Sequence, residues 1–145
     1  MTDKETMASR VKNFRERLYG KHDLTAVDDY VHPAFRSHNA LLKPGPEGYK
    51  AFAQGFHNGL PDLRPQLQHV LVHGDRVVTF THWEGTHTGA FRDAAPTGNR
   101  ITFETADLFR VQDGRFIEHW DVVDRLAAMR GLGLVGSVRE LSASD

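Results

Sequence analysis

Residues 100–124, RITFETADLFRVQDGRFIEHWDVVD, decide the fold. Two runs of alternating character, 100–111 and 115–124, flank the turn signal Gln112-Asp113-Gly114, so they read as antiparallel strands of one hairpin. In a strand, residues two apart share a face. His119 and Asp121 therefore point one way and Trp120 the other. A three-residue turn ending at Gly114 in the left-handed conformation sets Val111 opposite Arg115, Asp107 opposite His119 and Thr105 opposite Asp121. One face then holds Phe103, Thr105, Asp107, Phe109, Ile117, His119 and Asp121. Ala106, Leu108, Phe116, Trp120 and Val122 form an apolar face on the other side, suited to a subunit interface. A two-residue turn would swap the faces of one strand relative to the other. The first register gathers the polar groups among aromatics, as a ligand pocket requires. A His-x-Asp strand is often just a solvated face, but Phe103, Phe109 and Ile117 would be poorly placed in open water.

Upstream of this hairpin the hydrophobic period changes from two to that of helices. Met7, Val11, Phe14 and Leu18 predict an amphipathic helix over about residues 3–19, stopped by Gly20. A short second helix follows Asp23, uses Leu24, Val27 and Val31, and ends before Pro33. FRSHNA, 35–40, reads as extended. Pro46 opens a third helix that ends near Gly59. Residues 64–72 and 76–85 are strands joined by His73-Gly74-Asp75, and 87–99 is a long loop rich in Gly and Pro. Leu126, Met129 and GLGLVG form a C-terminal cap and tail. Helices followed by an antiparallel meander predict an α+β fold. Three helices cannot cover both faces of so long a sheet. The expected shape is therefore a curved antiparallel sheet wrapped against the N-terminal helices, a cone-shaped α+β barrel with a central cavity.

The 145 residues suit a single domain, 1–145. A net charge of -1 gives no reason to expect nucleic acid or an anionic membrane as partner. With no cysteine there is no disulfide, thiolate metal site or cysteine nucleophile. The charged start, MTDKETMASRVKNF, lacks the apolar core of a signal peptide, so a cytoplasmic location is the expectation. Nine histidines require a metal site to be weighed. Only His82, His87 and His119 are candidates to meet, and HxH and HExxH spacings are absent, so no metal is expected.

GTHTG (85–89), APTG (95–98) and DLFRVQDGRFIEHWDVVDR (107–125) resemble the SnoaL-like polyketide cyclases of the nuclear-transport-factor-2-like superfamily. The resemblance extends through PGPEGYKAF (44–52) and LPDLRPQLQHVLVHGDRVV (60–78), most of the chain. It implies a cone with one open mouth and a cofactor-independent intramolecular aldol condensation that closes a ring on a polyketide methyl ester. It also implies that the acid of the EHWD-type strand, here Asp121, is the general acid/base. Two features depart from the family pattern: FRDA stands before APTG, and Gly131 occupies the place of the usual Gln before the last Leu-Gly. Both lie where substrate identity is set.

Aldol closure takes a proton from a carbon beside carbonyls and returns one to the ketone that becomes an alkoxide. A single carboxyl can do both if its environment disfavours the charge, as burial among aromatics or a neighbouring carboxylate such as Asp107 does. His119 would share or hold the proton. Substrate contacts are expected from Asp107, Thr105, Phe103 and Phe109, from His38 or Asn39, of which alternation lets only one point inward, and from His87 in the GTHTG loop. Trp83 reads equally as core or as pocket wall, and Asp124 as a helix cap. The expected partner is a small hydrophobic carbonyl compound, and the expected assembly a homodimer or larger even oligomer.

Isomerase, dehydratase and hydrolase chemistry use similar cones, and a non-catalytic ligand-binding module is a further alternative. An epoxide hydrolase would pair two pocket carboxylates with a basic residue. Arg110, the basic candidate in the hairpin, falls on the wrong face for that.

Overall fold

The computed structural model describes residues 6–135. In chain order these form α1 (Met7–Arg15), a π-helical turn (Glu16–Gly20), α2 (Thr25–Tyr30), β1 (Val31–Ser37) and α3 (Gly45–Gly59). Then follow β2 (Arg64–His73), β3 (Arg76–Thr86), β4 (Arg100–Gln112), β5 (Arg115–Val123) and α4 (Arg125–Gly131). One five-stranded sheet has the order β1-β5-β4-β3-β2. It curves against α1 and α3, the α+β arrangement expected from the sequence.

The apolar stripe of α1 behaves as its spacing requires. Val11, Phe14 and Leu18 are fully buried, and the Thr6 hydroxyl caps the helix by accepting from the Ser9 amide. The expected first turn at residues 3–5 lies outside the described residues, as does the far end of the GLGLVG tail and of the 1–145 domain. The helix does not run regularly to Leu18. After Arg15 it widens into a π-helical turn, closed by the Lys21 amide on the Glu16 carbonyl. π-turns insert one residue and turn the helix face; here Arg15 and Tyr19 both line the interior.

Three local readings change. Val31 and Pro33 belong to β1, not to a helix end, and β1 pairs with β5 in parallel, so the sheet is not wholly antiparallel. Proline is tolerated there because β1 is an edge strand with an irregular register between Val31 and Arg36. The β4–β5 turn has two residues, not three: Asp113 (φ 52°) and Gly114 (φ 76°) are both left-handed, and Gln112 pairs with Arg115. That turn should have swapped the faces of β5. A bulge prevents it. Val111 faces Phe116, but Arg110 faces Glu118, so Ile117 is the extra residue and the parity is restored beyond it. Asp107 lies opposite Asp121, Phe109 opposite His119 and Thr105 opposite Val123. Asp107, His119 and Asp121 still share a face, by a different register from the expected one. The exchange falls on the two residues nearest the turn. Phe116 is buried in the core against Phe109, with ring centroids 4.6 Å apart, and Ile117 is the bulged residue.

The loop over residues 87–99 is drawn tightly across the end of α3. The Gly89 amide donates to the Gly59 carbonyl, and a Cβ on Gly89 would collide with the Asn58 carbonyl oxygen. That close approach explains the second glycine of GTHTG. Gly131 has the Ile101 side chain 3.0 Å from where its Cβ would stand, so a longer residue there would need Ile101 to give by a few tenths of an ångström.

Candidate active site

Between the sheet and α1, α3 and α4 lies a cavity of about 280 Å³. Its walls are apolar: Phe52, Phe56, Leu60, Trp83, Phe91, Ile101 and Phe103. Its polar end is built by Asn39, Asp107, His119 and Asp121 with Arg15. Arg92 and Arg125 also line it.

The polar end is a connected network with a fixed direction. Arg15 is buried. It donates to Thr81 Oγ1 at 2.7 Å and pairs with Asp107 Oδ2 at 2.9 Å. Its guanidinium lies 5.2 Å from the Trp83 ring centroid, a cation–π contact. Thr105 receives the Trp83 indole N–H at 2.9 Å and passes its own hydroxyl to Asp107 at 2.8 Å. Burial pushes the Asp107 carboxyl up, but the Arg15 guanidinium, the His119 ring and the Thr105 hydroxyl outweigh it and hold the pKa at about 2. Asp107 is therefore a permanent carboxylate. The expectation that a second pocket acid would be pushed up by repulsion fails for it, because Arg15 neutralises the charge.

An ionised Asp107 only accepts, so His119 Nε2 carries the proton in their 2.9 Å contact. Ser37 Oγ stands 2.7 Å from His119 Nδ1. It already accepts from the Asn39 amide, and its own hydrogen is free to donate to that nitrogen. Both nitrogens of His119 are thus engaged. Asp121 differs: its hydrogen bond comes from Asn39 Nδ2 at 2.9 Å, and His119 Nε2 lies 3.9 Å from its Oδ2. Asn39 cannot flip, because its Oδ1 accepts from the Leu41 amide at 3.0 Å. Among these acids Asp121 is the one held on an ordered donor without an arginine. Replacing Asn39 by Leu removes that donor. A kcat reduced ~10-fold with KM nearly unchanged is expected, since a hydrogen bond to a charged group is worth about 1.5–3 kcal/mol; steady-state kinetics check it.

Of the residues expected in the pocket, Asp121, His119, Asp107, Thr105, Phe103 and Asn39 line it. Three do not. His38 points outward, stacked on Trp120 (4.8 Å between centroids) and bonded to Glu118 at 2.8 Å. Alternation had allowed only one of His38 and Asn39 inside, and it is Asn39. Phe109 is fully buried beneath the His119 ring and forms core, not wall. His87 is fully buried too, and holds the loop by accepting from the Thr97 amide at 3.2 Å. Trp83 is both wall and core, and the Asp124 carboxylate does cap α4. Sequence reasoning missed Arg15 and Ser37. Arg15 sits one residue after Phe14 on a charged stretch of helix, with no spacing signal to mark it as buried.

His82 bonds Glu84 and Glu104 on the outer sheet face, so His82, His87 and His119 do not meet. Asp107, His119 and Asp121 offer ligand atoms within 4.8 Å of one another. Arg15 already supplies the positive charge there and occupies one Asp107 oxygen.

The model of the SnoaL-like polyketide cyclase family matches residues 9–132. The chain belongs to the SnoaL-like polyketide cyclase family. Within that family it is similar to nogalonic acid methyl ester cyclase of Streptomyces nogalater, with 31% identity over 111 residues, 74% of this chain and 83% of that protein. Among solved structures, TsrD from Streptomyces laurentii is 28% identical with a TM-score of 0.79, covering 90% of this SnoaL-like chain and all of TsrD. IdmH from Streptomyces antibioticus is 26% identical with a TM-score of 0.71, covering 88% of this chain and 99% of IdmH. No helix among the described residues is long and apolar enough to cross a membrane.

Proposed function

We propose that this SnoaL-like chain closes a carbocyclic ring by intramolecular aldol addition on a polyketide-like ester, with Asp121 as general base and then general acid. The observation that carries this reading is the asymmetry of the two acids. Asp107 is neutralised by Arg15, whereas Asp121 is bound by one amide donor at the end of an apolar cavity. Asp121 removes a proton from a carbon flanked by carbonyls. The electron pair moves into the enolate, and the enolate carbon attacks the ketone. The ketone oxygen then takes the proton back from Asp121, so no cofactor is needed to balance the step. His119, locked between Ser37 and Asp107, is a positioning residue for the polar end rather than a second base. Walls of Phe, Leu and Trp exclude water and hold the chain folded for attack. The methyl ester named for the Streptomyces nogalater relative is the first substrate to try. Purified protein should convert it to an isomer of equal mass, followed by liquid chromatography and mass spectrometry. Binding without conversion, across a panel of such esters, would leave a ligand-binding module. Chelator treatment should leave turnover unchanged, because the positive charge at the site is a guanidinium.

One observation favours a second reading. Two carboxylates and a buried arginine, Asp107, Asp121 and Arg15, are the set that an epoxide hydrolase requires, with the basic residue supplied by α1 and not by Arg110. Arg15 pairs with Asp107 only, which favours ring closure. A product heavier by one water would decide for hydrolysis.

The outer sheet face is proposed as the contact with a second copy. Phe80, Ala106, Leu108, Trp120 and Val122 share it, and Phe80 and Val122 are 45% and 74% exposed. Soluble monomers seldom leave so continuous an apolar patch uncovered. Sedimentation at micromolar concentration should report a dimer or larger even oligomer, and Val122→Lys should shift it toward monomer.

A further inference from the structure

Tyr19 and Tyr49 come from different elements, the π-helical turn and α3, and both line the cavity. Each is 5% exposed. Their rings are fixed by aromatic edges: Tyr19 against Trp83 at 5.2 Å, Tyr49 against Phe14 and Phe35 at 5.2 Å each. Helix packing accounts for the rings. It does not account for the hydroxyls. Among the described residues neither phenol oxygen has a hydrogen-bond partner, and neither belongs to the polar atoms sealed in by protein. Each therefore opens onto the cavity beside its ring. A buried phenol without a partner costs free energy unless something else satisfies it. The charges acting on these groups locate them further. Tyr49 feels Arg15, Asp107 and Asp121, and Tyr19 feels Arg15 and Asp107.

We infer that the Tyr19 and Tyr49 hydroxyls are the hydrogen-bond donors for the enolate oxygen that forms when Asp121 takes the substrate proton. This rests on the proton-transfer role proposed for Asp121 and adds the group that receives the charge. When the C–H bond breaks, its proton goes to the Asp121 carboxyl and its electron pair is spread onto the neighbouring carbonyl oxygen. That oxygen needs donors at the moment charge arrives, in a site with few others free. Arg15 is spent on Asp107, Thr81 and Thr79, Asn39 on Asp121, and His119 on Asp107. Arg92 and Arg125 also line the cavity, from the 87–99 loop and the start of α4, and the two phenols are the uncommitted donors among the groups at its polar end. Burial raises both above the ordinary tyrosine value, outweighing Arg15, so both keep their protons at neutral pH. Preorganised donors of this kind stabilise developing charge without reorganising when the reaction occurs.

The test uses an Asp121→Asn background, in which the carboxylate no longer repels an anionic ligand, and two probes of the same shape. 2-Naphtholate carries an oxyanion and naphthalene does not; the ionised probe is followed by its fluorescence. In this background Tyr49→Phe and Tyr19→Phe should each weaken 2-naphtholate binding ~10-fold or more, as loss of a hydrogen bond to a charged group does. Naphthalene binding should stay within ~2-fold by the same measure. Equal loss for both probes would make the tyrosines packing residues and overturn the inference. No loss for either would do the same, by showing that the hydroxyls do not face the bound oxygen. Ring closure by Asp121→Asn itself is measured separately. If that variant closed the ring at full rate while the naphtholate preference persisted, the role of Asp121 would fall and the donor site would stand.

Discussion

Asp121→Asn should lower turnover of a ring-closing ester by ~10²–10⁴-fold, the range over which a positioned general acid/base contributes. The fold should survive, because an amide has the shape of the carboxylate and its oxygen still accepts from Asn39 Nδ2. Substrate affinity should change little, since the apolar walls provide most of the contact. His119→Ala should cost less, because both ring nitrogens hold neighbours in place and neither is free to take the substrate proton. A larger loss at His119 than at Asp121 would reverse the assignment.

The second large effect is on stability. Arg15→Met should destabilise the protein by about 3–5 kcal/mol, the usual cost of leaving one partner of a buried ion pair uncompensated. Asp107 would lose the cation that holds its charge in the interior. Adding Asp107→Leu should recover most of that loss, as replacement of a whole buried pair by apolar residues often does. The pH dependence has a definite sign. Asp107 titrates at about 2 in the folded state against an ordinary 3.8, so its stabilisation is present above about pH 4 and lost as pH falls through about 2. That difference is worth about 2 kcal/mol. The stability gap between wild type and Arg15→Met should therefore narrow from pH 4 to pH 2 in urea unfolding. A gap that widened would mean that Arg15 does not act through the Asp107 charge.

Alternation and turn chemistry made most of this legible in the sequence. The strands β2 to β5, the helices α1 and α3, and the shared face of His119 and Asp121 follow from periodicity alone; that Asp107 joins them depends on the register. The register itself did not follow. The turn type at Asp113-Gly114 and the bulge at Ile117 each shift the expected pairing by one in the same direction, so from Glu118 on the register is off by two while the face of each residue is restored. A bulge leaves no mark in an alternating pattern unless a glycine announces it. β1 was obscured by Pro33, which excludes a central strand but not an edge one. Arg15 was illegible for another reason. A buried arginine on an amphipathic helix looks like a solvated one, and only the Asp107 brought beside it by β4 reveals its role.

Proton abstraction can be watched without ring closure. A β-keto methyl ester that lacks the acceptor ketone, incubated in D₂O with the wild-type protein, should exchange the hydrogen between its carbonyls far faster than in buffer, followed by NMR. With Asp121→Asn the exchange should fall to near the buffer rate while the ester still binds. Equal exchange by the wild type and Asp121→Asn would contradict the assignment of Asp121 as the base.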